Sequence, residues 1–184
     1  MDERLISAKI AKLLERVRLA AEKSQRAPGA VTVLAVSKTH PAQAIRAAHG
    51  CGLDHFGESY LQEALAKMEE LADLPLTWHF IGPIQSNKTR PIAEHFAWVH
   101  SVDRGKIAQR LNDQRPPALP PLQVCLQVNI SGEPSKSGIS LDELPRLARE
   151  VAGMPRLRLR GLMAIPAPTT DTGQQRAAFA GLRR

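Results

Sequence analysis

The amino-acid sequence predicts an α/β fold in which parallel strands alternate with helices. Three observations carry this. Short apolar, β-branched runs recur along the chain, each closing on polar residues or glycine. A stretch with apolar residues at helical spacing follows each run. Prolines fall at the joins: Pro41 opens a helix where its missing N–H costs nothing, and Pro116-Pro117 and Pro120-Pro121 separate a helix from the next strand. Regular strand–helix alternation implies parallel strands joined by right-handed crossovers.

The chain opens with an amphipathic helix, on which Ile6, Ile10, Leu13, Leu14, Val17 and Ala21 share a face. Strands are then expected over 31–36, 54–57, 77–81, 97–102, 122–130 and 157–165, with helices over 41–50, 59–71, 86–95, 104–114 and 140–152. Two architectures accommodate this order: an open doubly wound sheet, or a (β/α)8 barrel. Only about six βα units are counted, whereas a barrel has eight. The last helix, from Gly173 onward, reaches Arg184 in mid-pattern without a cap. The expectation is one domain over 1–184, incomplete at its C-terminus.

Composition narrows the function classes. The 184 residues are 43% hydrophobic and 23% charged, ordinary for a soluble domain. A net charge of +7 suits a phosphorylated ligand or a polyanion, but much of it is expected on solvated surface, including Arg156, Arg158 and Arg160. Aromatic residues are only 4% and are not interleaved with basic ones, which argues against nucleic acid as a partner. Cys51 and Cys125 match no zinc or redox spacing, and the six histidines show no metal-binding spacing, so no metal is expected. The N-terminal segment mixes both charge signs and is not a signal peptide, and no apolar run approaches the ~20 residues that span a bilayer. A cytoplasmic protein with no membrane partner is expected.

In α/β folds chemistry collects at the C-terminal strand ends. There the sequence offers Ser37-Lys38-Thr39, Glu58-Ser59, Gly82, His100-Ser101-Val102-Asp103, Asn129-Ile130-Ser131 and Met163-Ala164. Lys38 follows an apolar run and precedes a helix start. Desolvation and the helix's positive end would both disfavour its charged form and leave a nucleophilic amine suited to Schiff-base chemistry. The alternative is a lysine snorkelling to water. Gly82-Pro83-Ile84-Gln85-Ser86-Asn87-Lys88-Thr89 resembles a phosphate loop, but Asn87 stands where the second glycine would let backbone N–H groups wrap a phosphate. We read it as a βα loop with Ser86 capping the helix. His79, between Trp78 and Phe80, faces either the core or a rim.

An ordered set of motifs resembles one family. It comprises Ala35-Val36-Ser37-Lys38-Thr39, Phe56-Gly57-Glu58-Ser59-Tyr60-Leu61-Gln62-Glu63 and Trp78-His79-Phe80-Ile81-Gly82-Pro83-Ile84-Gln85-Ser86-Asn87-Lys88. Val128-Asn129-Ile130, Ser135-Lys136-Ser137-Gly138 and Arg160-Gly161-Leu162-Met163-Ala164-Ile165 follow. Across essentially the whole chain this resembles the pyridoxal phosphate homeostasis family (YggS/PROSC). The resemblance implies a TIM-type barrel like the N-terminal domain of alanine racemase, with pyridoxal 5′-phosphate held as a Schiff base on Lys38. Ser59, His79, Asn129 and Met163 are the further candidates for touching the cofactor. Ser59 departs from the family, which usually has asparagine there. The family's phosphate-holding loops follow two later strands, so those residues are expected beyond Arg184. The implied role is vitamin B6 and amino-acid homeostasis without turnover. The alternative is a fold-type III racemase or decarboxylase, which would need a second proton donor, and Tyr60 is the one tyrosine. Expected partners are the cofactor and apoenzymes that depend on it, with a monomer as the state of the full-length protein.

Overall fold

The computed structural model describes residues 3–27, 29–130 and 137–183. These form two units, residues 1–79 and 80–184. All six expected strands are present, each followed by a helix, and every strand pair with a described register is parallel.

The first unit begins with helix α1 (Glu3–Lys23) and continues through β1 (Ala35–Val36), α2 (Ala42–His49), β2 (His55–Glu58), α3 (Leu61–Glu70) and β3 (Thr77–Phe80), whose last residue opens the second unit. Ala35 and Val36 register with Phe56 and Gly57. The Ser37 amide extends that ladder by donating to the Gly57 carbonyl at 3.0 Å. The Thr77 amide donates to Asp54 at 2.8 Å, which ties β3 to β2. The core is formed by Ile45 and Ala48 of α2, Phe56 of β2, and Leu61 and Ala64 of α3, with Phe56 and Trp78 tilted at 6.2 Å between ring centroids.

The first strand is shorter than expected. Val31 and Thr32 are exposed and outside the ladder, because the register that sets Ala35 beside Phe56 leaves residues 31–33 upstream of His55, where β2 starts. Alternation of side chains makes a strand possible, but hydrogen-bonding partners decide its length.

The second unit runs through a 3₁₀ turn (Ser86–Lys88), α4 (Thr89–His95), β4 (Trp98–Val102), α5 (Gly105–Gln114), β5 (Leu122–Gln127), α6 (Leu144–Ala152), β6 (Leu157–Met163) and α7 (Thr172–Arg183). Strand β5 pairs with β4 on one side and β6 on the other. Its Leu122, Val124 and Leu126 are fully buried, as are Ile107, Ala108 and Leu111 of α5 and Val151 of α6, with Leu147 of α6 nearly so. Between β5 and β6 the register slips by one residue: Val124 faces Leu159 and Cys125 faces Gly161. This bulge needs Gly161, whose φ of +154° a side chain would strain.

Helix α6 begins at Leu144, later than the expected residue 140. Ser140 and Glu143 close a reciprocal capping box first: the Ser140 hydroxyl accepts from the Glu143 amide at 3.3 Å, and the Glu143 carboxylate accepts from the Ser140 amide at 3.3 Å. Ser86 does not cap α4. Its carbonyl accepts from the Thr89 hydroxyl at 2.9 Å and from Arg110 Nε at 3.0 Å, while Arg104 donates to the neighbouring Ile84 carbonyl at 3.0 Å. The loop that resembles a phosphate cradle therefore turns acceptors, not N–H donors, toward its cationic neighbours.

Not all of the basic charge is solvated surface. Arg115 is buried, donating from Nη1 to the carbonyls of Ala93 (2.6 Å) and Phe96 (2.8 Å), and from Nε to Pro120 (2.8 Å). Arg156 donates to Pro116 and Leu119. Together they clasp the proline-rich loop over 115–121. Arg160 lies over the Trp98 ring at 5.6 Å. Among the described residues no helix is long and apolar enough to cross a membrane.

Candidate functional site

Lys38 sits just past the end of β1, and its side chain is exposed. The expected desolvation of this lysine is therefore absent, since Val36 and Lys38 both lie on the open side of the strand end. What surrounds Lys38 is a constrained backbone. The His40 amide donates to the Ser37 carbonyl at 3.0 Å, which closes a turn with Lys38 and Thr39 in its middle. Thr39 has φ +66°, where turns of this kind favour glycine. For a β-branched residue this left-handed conformation is an outlier costing roughly 1–2 kcal/mol.

Side chains from β2 and α3 hold the turn in place. Glu58 closes β2 and is 0% exposed, and Lys67, on α3, is 6% exposed. The Ser37 hydroxyl donates to Glu58 Oε1 at 2.6 Å. Lys67 Nζ donates to the same oxygen at 2.8 Å, to the Ser37 carbonyl at 2.8 Å and to Glu63 Oε1. All three ammonium hydrogens are thus used. Glu63 Oε1 in turn accepts the Thr39 amide at 2.6 Å. The Lys67 hydrogen bond holds the Glu63 carboxyl below its ordinary range against the opposing effect of burial, and the Thr39 amide adds a smaller pull in the same downward direction. Glu58 Oε2 is buried without a hydrogen-bond partner among the described residues. Removing either member of a buried pair such as Glu58–Lys67 strands the other, at about 3–5 kcal/mol.

Of the other expected contacts, Ser59 is half-buried and follows Glu58 directly past the end of β2, the strand that pairs with β1. His79 is buried on β3, on the strand face opposite its neighbour Trp78, and its Nε2 lies 2.9 Å from His55 Nδ1, so one of its nitrogens is engaged by a second histidine. Asn129 and Met163 lie together in the second unit: the Val128 amide donates to the Met163 carbonyl at 2.8 Å, and both side chains are half-buried at adjacent strand ends. Tyr60 is 56% exposed at the N-cap of α3.

The segment around Gly138 docks on the same strand ends. The Asn129 amide donates to Ile139 and the Ile139 amide to Gln127, both at 2.9 Å, and Gln127 Nε2 donates to the Ser137 carbonyl at 3.2 Å. Ser131, Ser135 and Lys136 of the neighbouring motifs lie outside the described residues.

The sequence placed Thr39 and Glu63 within motifs without giving either a role, and did not single out Lys67. Glu63 and Lys67 have the i, i+4 spacing of a helix salt bridge, a signal that usually means exposed surface. Glu58 was legible as a strand-end carboxylate, but its burial was not.

The family profile described as alanine racemase, N-terminal domain, matches residues 10–184. The chain is 67% identical over 178 residues to the pyridoxal phosphate homeostasis protein of Pseudomonas aeruginosa, covering 97% of this chain and 77% of that protein. Among solved structures, PipY of Synechococcus elongatus with PLP bound superposes with a TM-score of 0.78 at 42% identity, covering 90% of this chain and 77% of PipY. Alanine racemase from E. faecalis superposes with a TM-score of 0.73 over 100% of this chain and 48% of its own; at 18% identity it shows the shared fold.

Proposed function

The chain belongs to the pyridoxal phosphate homeostasis proteins, within the alanine racemase N-terminal domain family, and from that premise we propose that it is a cofactor carrier, holding pyridoxal 5′-phosphate on Lys38 without turnover of its own. The observation that carries this reading is the Ser37–His40 turn, which holds the backbone on both sides of Lys38 while leaving its side chain exposed at a strand end. The cofactor, when bound, supplies an aldehyde that condenses with a primary amine and releases water. Lys38 contributes that amine, the turn directs it, and Ser59, past the end of the paired strand, contributes a hydroxyl donor. His79, Asn129 and Met163 are the further contacts we assign.

A racemase needs a second proton donor on the opposite face of the cofactor. Tyr60, the one tyrosine of the chain, is exposed at the start of α3 and is not held toward Lys38 by any described contact, which favours the carrier reading. We assign apoenzymes that use the cofactor as the class of protein partner, the cytoplasm as compartment, and a monomer as the working state.

The test is a titration with pyridoxal phosphate, followed by absorbance, then borohydride reduction and peptide mapping. The label is expected on Lys38, and Lys38→Ala should abolish the band. A label on another lysine, with normal binding by Lys38→Ala, would overturn the site; Lys136 is the amine to check first. Solvent deuterium entering alanine or serine in a Lys38-dependent way would replace the carrier with a racemase.

A further inference from the structure

Resting on Lys38 as the attachment residue, we propose that Glu63 and Lys67 are positioning residues that aim it through its backbone. Lys67 grips the Ser37 carbonyl, immediately before Lys38, and through Glu63 the pair grips the Thr39 amide, immediately after it. Neither group is described touching the Lys38 side chain. The exposed lysine thus takes its direction from peptide groups clamped by a helix.

Two features separate this arrangement from an incidental salt bridge. A buried lysine–carboxylate pair is a poor source of net stability, because desolvation offsets attraction, so its use here lies in geometry. The clamp also ends on the outlier residue: Thr39 is held left-handed at φ +66° by the amide that Glu63 accepts. Strain of this kind persists only where surrounding contacts over-determine it. The other described non-glycine residue of positive φ, Gln25, lies in the turn after α1 and carries no such clamp.

Glu63→Ala frees the Thr39 amide at a partly exposed position, so the protein should still fold. The rate at which the absorption band of Lys38-bound cofactor forms is expected to fall about tenfold, the factor that corresponds to ~1.4 kcal/mol of left-handed backbone cost. Glu63→Gln keeps an acceptor oxygen and should retain more of the rate than Glu63→Ala. Thr39→Gly, placed on Glu63→Ala, supplies a residue that adopts positive φ without cost and should restore much of it. The pair Glu58→Gln with Lys67→Met leaves no lone buried charge and should slow the band as Glu63→Ala does. A Glu63→Ala protein that melts cooperatively and forms the band at the parent rate overturns the proposal, as does a slowing that Thr39→Gly leaves untouched. Borohydride mapping of the parent separates the two layers. A Lys38 label with unaffected variants removes the positioning role alone, whereas a label elsewhere removes the attachment and the positioning with it.

Discussion

Gly138 is the position where a single methyl group should do most damage at the strand ends. A Cβ placed there would lie 2.6 Å from the Asn129 nitrogen and 2.7 Å from the Val128 carbonyl carbon, both backbone atoms that cannot swing aside, and φ is +121°. In Gly138→Ala the segment over 137–139 must therefore lift off β5. It forfeits the two backbone hydrogen bonds between Ile139 and the Gln127–Asn129 stretch, and the one from Gln127 to Ser137. At roughly 1 kcal/mol each this comes to about 3 kcal/mol, a large share of a typical stability of about 5–15 kcal/mol. With a urea dependence of about 2 kcal/mol per molar, the unfolding midpoint should drop by about 1.5 M at unchanged slope. Hydrogen exchange should report the same event locally, with the Asn129 and Ile139 amides losing protection first. A midpoint within about 0.3 M of the parent, with both amides still protected, would refute the reasoning and mean that β5 yields to the methyl group.

Three further outcomes are expected. Arg115→Met should lower stability by about 3 kcal/mol in a thermal or urea melt, because three carbonyls lose a charged donor, and Arg115→Lys should recover little since an ammonium cannot span them. Ser59→Asn should keep or tighten pyridoxal phosphate binding, by about 1 kcal/mol for one added hydrogen bond; clear weakening in a titration would show that the strand end is shaped for serine. Folding lowers the Glu63 pKa, so its contribution to stability is complete above the ordinary value of 4.5 and is lost as pH falls through the lower folded value. The gap in urea midpoint between the parent and Glu63→Gln, present at pH 6, should therefore close on acidification, and a widening gap would contradict the pairing with Lys67.

The strand-and-helix order was legible because β-branched runs and helical spacing are local properties: five of the six strands lie within the ranges read from them, and the sixth, β2, overruns its range by Glu58 alone. Residues 31–33 misled because their apolar character suits a strand, whereas pairing depends on where β2 begins. Lys38 was legible by its place after a strand. The network beneath it was not, since Ser37, Glu58 and Lys67 meet across separations of 9 to 30 residues and two of them bury charge against the usual preference. Arg156 was expected on solvated surface and Arg115 was not singled out, because the partners of both are main-chain carbonyls, which no side-chain pattern marks.

The slipped register between β5 and β6 works as a vernier. Upstream of Gly161, Leu157 and Leu159 answer to Leu122 and Val124; downstream, the extra residue advances β6 by one, so that Met163 arrives opposite Gln127. Deleting Arg160 would close the bulge and keep the same partners in register, Gly161 with Cys125 and Met163 with Gln127, whereas deleting a residue just after Gly161 would bring Ala164 into the place of Met163. The bulge thus sets the end of β6 one residue out of step with its start, and the pairs Leu162 with Leu126 and Met163 with Gln127 depend on it.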